Sequence, residues 1–143
     1  MVHGNCGEST GGMSGYEAEV LARQLAALGR DLDAEVAVLG VLEETSADME
    51  GEFRRLKGAY DDCVDQAFLS AEGSVDARKA VARLACTASR TAMYEANMEW
   101  DKARGRVFMQ QANLRALHDR IDIGRSLLAR ERALISIAGT GEV

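Results

Sequence analysis

From Tyr16 onward the apolar positions recur in steps of three and four. Leu21, Leu25, Leu28, Leu32, Val36, Leu39 and Leu42 are followed by Ser46, Met49, Phe53, Leu56, Tyr60, Cys63 and Ala67. This spacing keeps one stripe of a helix apolar for more than six heptads. No stretch alternates with the period of two that a half-buried strand requires. The stripe stops at Ala71-Glu72-Gly73-Ser74. There Gly73 suits a helix C-terminus, Ser74 suits an N-cap, and Asp76 falls in a new first turn, where the helix dipole favours an acid.

A second stripe follows: Val81, Ala85, Ala88, Ala92, Ala96, Trp100, Ala103, Val107, Leu114, Leu117, Ile121, Leu128 and Ile135. A turn at Gly73 that folds one helix back on the other pairs positions whose numbers add to roughly 146. Leu32 then faces Leu114, Leu25 faces Ile121, Phe53 faces Ala92 and Trp100 faces Ser46, with large residues against small ones. The expected fold class is all-α: a long antiparallel helical hairpin of coiled-coil character, about 80 Å long at roughly 1.5 Å per residue. Its parts are a disordered leader over 1–15, helices over about 16–71 and 75–138 joined by a turn at 72–74, and a tail over 139–143. Gly40 and Gly51 weaken the first helix, at about 1 kcal/mol each relative to alanine. A break between them would give a three- or four-helix bundle instead.

The 143 residues include no proline, which fits a chain with few turns, and 47% apolar against 28% charged residues suffices for a core. Mean hydropathy is -0.17, and no apolar run reaches the roughly 18 residues of a membrane span. A two-helix hairpin buries one stripe per helix. Met93, Met98, Phe108, Ile123, Leu127 and Leu134 lie off the second stripe, so the pattern predicts that they form a homo-oligomer interface, in a bundle or ring.

The net charge of -6 is unevenly spread. Residues 1–76 hold 5 Lys and Arg against 16 Asp and Glu, whereas residues 77–143 hold 12 against 7. The cysteines, Cys6, Cys63 and Cys86, are odd in number and unclustered. Cys63 and Cys86 approach each other in the hairpin register, and the reading for a cytoplasmic protein is that they fill the stripe as free thiols rather than bonding.

Little in the sequence supports catalysis. Neither His3 nor His118, which has Asp119 and Asp122 nearby, forms a nucleophile or metal spacing with a cysteine, and His118 reads as a surface residue. Glu43-Glu44 and Asp61-Asp62 read as solvated helix faces, and no GxxxxGK[ST] phosphate loop is present. No cofactor or metal is expected. The basic residues are more informative. Lys79, Arg83 and Arg90 share one helical face, which Arg104, Arg115 and Arg130 extend, and the hairpin register sets Arg54, Arg55 and Lys57 beside Arg90. With Arg78 these make a seven-residue candidate site for single-stranded nucleic acid (Arg54, Arg55, Lys57, Arg78, Lys79, Arg83, Arg90), with Tyr60 and Tyr94 available to stack on bases. The competing reading is that these cations pair with Asp61, Asp62, Asp65 and Glu72.

Three stretches carry a resemblance: Arg54-Arg55-Leu56-Lys57-Gly58-Ala59-Tyr60, then Gln66-Ala67-Phe68-Leu69-Ser70-Ala71-Glu72-Gly73-Ser74-Val75-Asp76-Ala77-Arg78-Lys79-Ala80, and Ile121-Asp122-Ile123-Gly124-Arg125-Ser126. Over roughly residues 50–128 the chain resembles small helical proteins of actinobacterial phages, which in turn look like UvsY-type recombination mediators. The resemblance implies a non-catalytic, homo-oligomeric accessory protein in the host cytoplasm. Such a protein binds single-stranded DNA and helps a recombinase displace the single-strand-binding protein. The family's basic run maps to Leu56 and Lys57, and Ala59 stands at its second basic position, which leaves the contact to Arg54, Arg55 and Lys57. The alternative is a helical structural or adaptor protein of the virion or of host interaction, whose charges serve protein contacts alone.

Overall fold

The computed structural model describes residues 14–141, which form three helices: α1 (Gly15–Ser70), α2 (Val75–Ala85) and α3 (Thr87–Gly139), with no strand among the described residues. The expected leader falls outside them except for Ser14 and Gly15. Ser14 begins α1 through a reciprocal capping box. Its Oγ accepts the Glu17 amide at 3.3 Å, and its own amide donates to the Glu17 carboxylate at 2.6 Å. Helix α1 continues through Gly40 and Gly51 without interruption. No atom lies within 4 Å of a Cβ added at either glycine.

The connection after Ser70 follows the chemistry of its residues. Gly73 has φ +106°, open to glycine and rarely to other residues. Ser74 is the N-cap of α2, accepting the Ala77 amide at 3.2 Å, and Asp76 occupies the first turn. Arg78 reaches back to the end of α1. Its guanidinium donates to the Phe68 carbonyl at 3.1 and 2.9 Å and lies 4.3 Å from the centre of the Phe68 ring. It satisfies a carbonyl of the last turn of α1, which has no partner further along the helix.

The sequence predicts one helix over about 75–138, but the structure interrupts it at Cys86, which is bonded to Cys63. The expectation of two free thiols is thereby corrected. The first turns of the second stripe are corrected with it, whereas its positions from Ala92 to Leu128 are buried or half-buried as expected and Ile135 is 43% exposed. Ala82 and Cys86 are each 1% exposed, whereas Val81 is 49% exposed and Ala85 and Ala88 lie outside. The buried or half-buried series is Ala82, Cys86, Ser89, Met93, Ala96, Trp100, Ala103, Val107, Gln110, Leu114, Leu117, Ile121, Gly124 and Leu128, in unbroken alternation of four and three. The alanines around residues 77–92 offer two neighbouring faces of similar size, so composition does not choose between them. The bond to Cys63 fixes the choice.

Two compact units make up the chain. In the unit of residues 35–113, α1 meets α2 and α3 with numbers descending on one side as they rise on the other: Cys63 with Cys86, Phe53 with Trp100, Glu35 with Gln110. Phe53 and Trp100 stack with centroids 5.5 Å apart, where the sequence reading set Phe53 against Ala92 and Trp100 against Ser46. Gln110, 7% exposed, donates its amide to the Glu35 carbonyl at 3.0 Å and to the Glu35 carboxylate. The regular spacing on α1 thus runs through half-buried Glu35, and Val36 turns out to solvent, 51% exposed.

In the other unit, residues 14–34 and 114–141 of the described chain, Leu114, Ile121 and Leu128 are buried. Leu25 packs on Gly124 so closely that a Cβ there would lie 2.4 Å from its Cδ2. The expected partner of Leu25 was Ile121, one turn away.

Candidate nucleic-acid interface

The seven cations singled out from the sequence divide by what they touch. Arg54 is bound to Glu50 at 2.6 Å and Arg55 to Glu52 at 2.7 Å, both on their own helix. The hydrogen bond from Arg55 holds the Glu52 carboxyl below the ordinary carboxylate value and raises the Arg55 guanidinium above its own. Neither arginine pairs with Asp61, Asp62 or Asp65, so the competing reading holds for these two only in that their partners are acids. Arg78 is half-buried and committed to Phe68. Lys57, Lys79 and Arg83 are exposed and have no ion pair among the described residues, while Arg90 is half-buried.

The register beside these residues differs from the expected one. Phe53 stacks on Trp100, and Leu56 shares an open groove with Ala92, Ala96 and the acids Glu52, Glu95 and Glu99. Lys57 directly follows this stretch of α1, which lies along an acidic part of α3. Glu99 is held below the ordinary carboxylate value chiefly by its hydrogen bond from Lys102. Of the aromatic candidates, Tyr94 is 57% exposed and Tyr60 is half-buried in the α1 stripe. Further along, Arg104 sits over the Trp100 ring at 4.3 Å and also pairs with Asp101.

The six residues read as an oligomer interface fall into two groups. Met93 is half-buried and in phase with Trp100 and Val107, so it belongs to the chain's own packing face. Met98, Phe108, Ile123, Leu127 and Leu134 are exposed, Phe108 at 64% and Ile123 at 61%. Met109 and Ile137 are exposed apolar residues that the sequence reading passed over.

Among the described residues no three His, Cys, Asp or Glu side chains come close enough to hold a metal ion, and His118 lies exposed on α3. No described helix is long and apolar enough to cross a membrane. Sequence reasoning missed the Glu35–Gln110 layer. The signal was there: the second stripe skips from Val107 to Leu114, and Gln110 stands in the gap. No protein-family model, curated protein or solved structure matches the chain.

Proposed function

We propose that this chain acts by contact rather than by catalysis, as a helical structural or adaptor protein whose first partner is another copy of itself. In this reading α1 and α3 form one antiparallel hairpin, and the hairpins associate through the outer side of α3. The carrying observation is the set of large apolar side chains left in water there: Met98, Phe108, Ile123, Leu127 and Leu134. Helices that already bury one stripe gain further by covering a second, at about 25 cal/mol for each Å² of apolar surface removed from water. Sedimentation over a range of protein concentrations tests this. The wild-type chain associates, and Phe108→Glu with Ile123→Glu returns it to the monomer at undiminished helicity. A wild-type monomer at all concentrations overturns it.

A second reading is the recombination accessory role, in which the protein binds single-stranded DNA and helps load a recombinase against the single-strand-binding protein in the host cytoplasm. The exposed, unpaired Lys57, Lys79 and Arg83 favour it, with Tyr94 exposed as a stacking surface. The pairs of Arg54 and Arg55 are no obstacle, since an exposed salt bridge is worth only about 0–1 kcal/mol and a phosphate can replace the carboxylate. Anisotropy of a labelled, unstructured oligonucleotide across a salt series decides the matter. Binding that weakens with salt, and weakens again in the Arg54→Glu, Arg55→Glu, Lys57→Glu variant, supports the role. No binding at low salt removes it and leaves the protein-contact reading.

A further inference from the structure

We infer that the Cys63–Cys86 pair is a redox switch that decides whether α2 and α3 are two helices or one. The interruption has no cause in the local sequence: residues 75–104 include no glycine or proline. Cys86 alone separates Ala85 from Thr87, with φ -105° and ψ 20°, away from the roughly -63° and -42° of a helix. The helical bonding continues on either side, the Cys86 amide donating to the Ala82 carbonyl at 3.1 Å and the Arg90 amide to the Cys86 carbonyl at 3.0 Å. Between them, Cys86 is the one residue from Val75 to Gly139 that stands outside a helix. The Thr87 hydroxyl donates to the Arg83 carbonyl at 3.3 Å and to the Leu84 carbonyl at 3.0 Å, across the junction.

What distinguishes Cys86 from its neighbours is the covalent tie that holds its Cα 6.0 Å from that of Cys63. The buried phase is continuous across the junction, from Ala82 through Cys86 to Ser89 and Met93. No rotation is therefore needed to join the helices. With the tie opened, the amides of residues 87–89 reach the carbonyls four residues back, and α2 and α3 become one helix.

The chemistry is exchange with a dithiol. A thiolate of the reductant attacks Cys63 Sγ, which is half-buried and lines an open groove with Ala59, Asp62, Gln66, Ala67 and Ser70. The buried Cys86 leaves as thiolate and takes up a proton. The second thiol of the reductant then closes its own disulfide and releases Cys63, so that two electrons and two protons pass from reductant to protein.

Amide hydrogen exchange of the full chain, resolved by residue, tests the switch in oxidised protein, in protein reduced with dithiothreitol, and in the Cys63→Ala, Cys86→Ala variant. Reduction and the double substitution are expected to slow exchange at Thr87, Ala88 and Ser89 about tenfold or more, as three new helical bonds form. Unchanged or faster exchange at these amides, once mass spectrometry confirms the free thiols, overturns the inference. Should the double variant fail to fold, the reduced wild-type protein carries the test alone. None of these outcomes depends on what the chain binds.

Discussion

Gly124 and Gly105 lie on the same helix and differ in what surrounds them, so alanine at each should have opposite effects. Replacing a helix-interior glycine with alanine gains about 1 kcal/mol from the backbone alone. At Gly105 nothing lies within 4 Å of the new Cβ, so the whole gain is expected. At Gly124 the new Cβ would stand 2.4 Å from Leu25 Cδ2 and 3.4 Å from its Cγ, and the leucine must leave its present position. Overpacking of this kind costs about 1–3 kcal/mol. Set against the helical gain, the net effect at Gly124 is between neutral and about 2 kcal/mol destabilising. The two variants should therefore differ by about 1–3 kcal/mol, which for a chain of this size is roughly 3–15 °C in Tm. Urea unfolding followed by far-ultraviolet circular dichroism measures the difference directly. Removing the obstacle supplies the control: in a Leu25→Ala background, Gly124→Ala should become stabilising. If Gly124→Ala stabilises the otherwise unaltered protein as much as Gly105→Ala does, the close approach to Leu25 does not hold.

Three further outcomes are expected. Gln110→Leu removes the donor from the Glu35 carbonyl and carboxylate and should cost about 1–3 kcal/mol in denaturant unfolding. Glu35→Leu added to it should recover stability while broadening the range of assemblies seen by sedimentation, since a polar layer fixes register more than it adds stability. Arg78→Lys should destabilise almost as much as Arg78→Ala, on the order of 1–2 kcal/mol by thermal melting, because an ammonium cannot reproduce a planar group that both forks onto the Phe68 carbonyl and covers its ring. The carboxyls of Glu52 and Glu99 are lowered in the folded chain from the ordinary 4.5, by hydrogen bonds from Arg55 and Lys102 respectively. Their contribution is therefore complete above that value and lost as the pH falls through the lowered one. A titration of helicity should show a small loss in that acid range, and added salt should reduce it.

The helical class and the turn were legible because each rested on one dominant signal. On α1, a three-four spacing of leucines leaves a single face apolar, and those positions are the half-buried ones. Gly73 suits a positive φ, the Ser74 hydroxyl caps the next helix and the Asp76 charge suits its first turn, so the connection could be placed from three letters. The second stripe was harder. Between residues 77 and 92 alanines and other small side chains occur on neighbouring faces, and a face chosen by size alone is ambiguous by one position. The structure turns the chain one residue further, toward Cys86, and Met93 moves from the expected interface to the packing face with it. Pairing helices by a fixed sum of residue numbers assumed equal rise on both sides. The observed pairs share no single sum, and Trp100 meets Phe53 rather than Ser46. Whether a cation is free could not be read from spacing, because Arg54 and Arg55 each had acids on several sides and the helix chose Glu50 and Glu52.

The stacking of Trp100 on Phe53 also gives the protein a spectroscopic reporter of its own. The chain holds one tryptophan, and it lies within the unit of residues 35–113, with an arginine against its ring. Its emission senses the separation of α1 from α3 in that unit alone, whereas the peptide circular dichroism signal averages over every helical residue. Following both during one denaturation would reveal whether the two units come apart together or in sequence, without attaching any label.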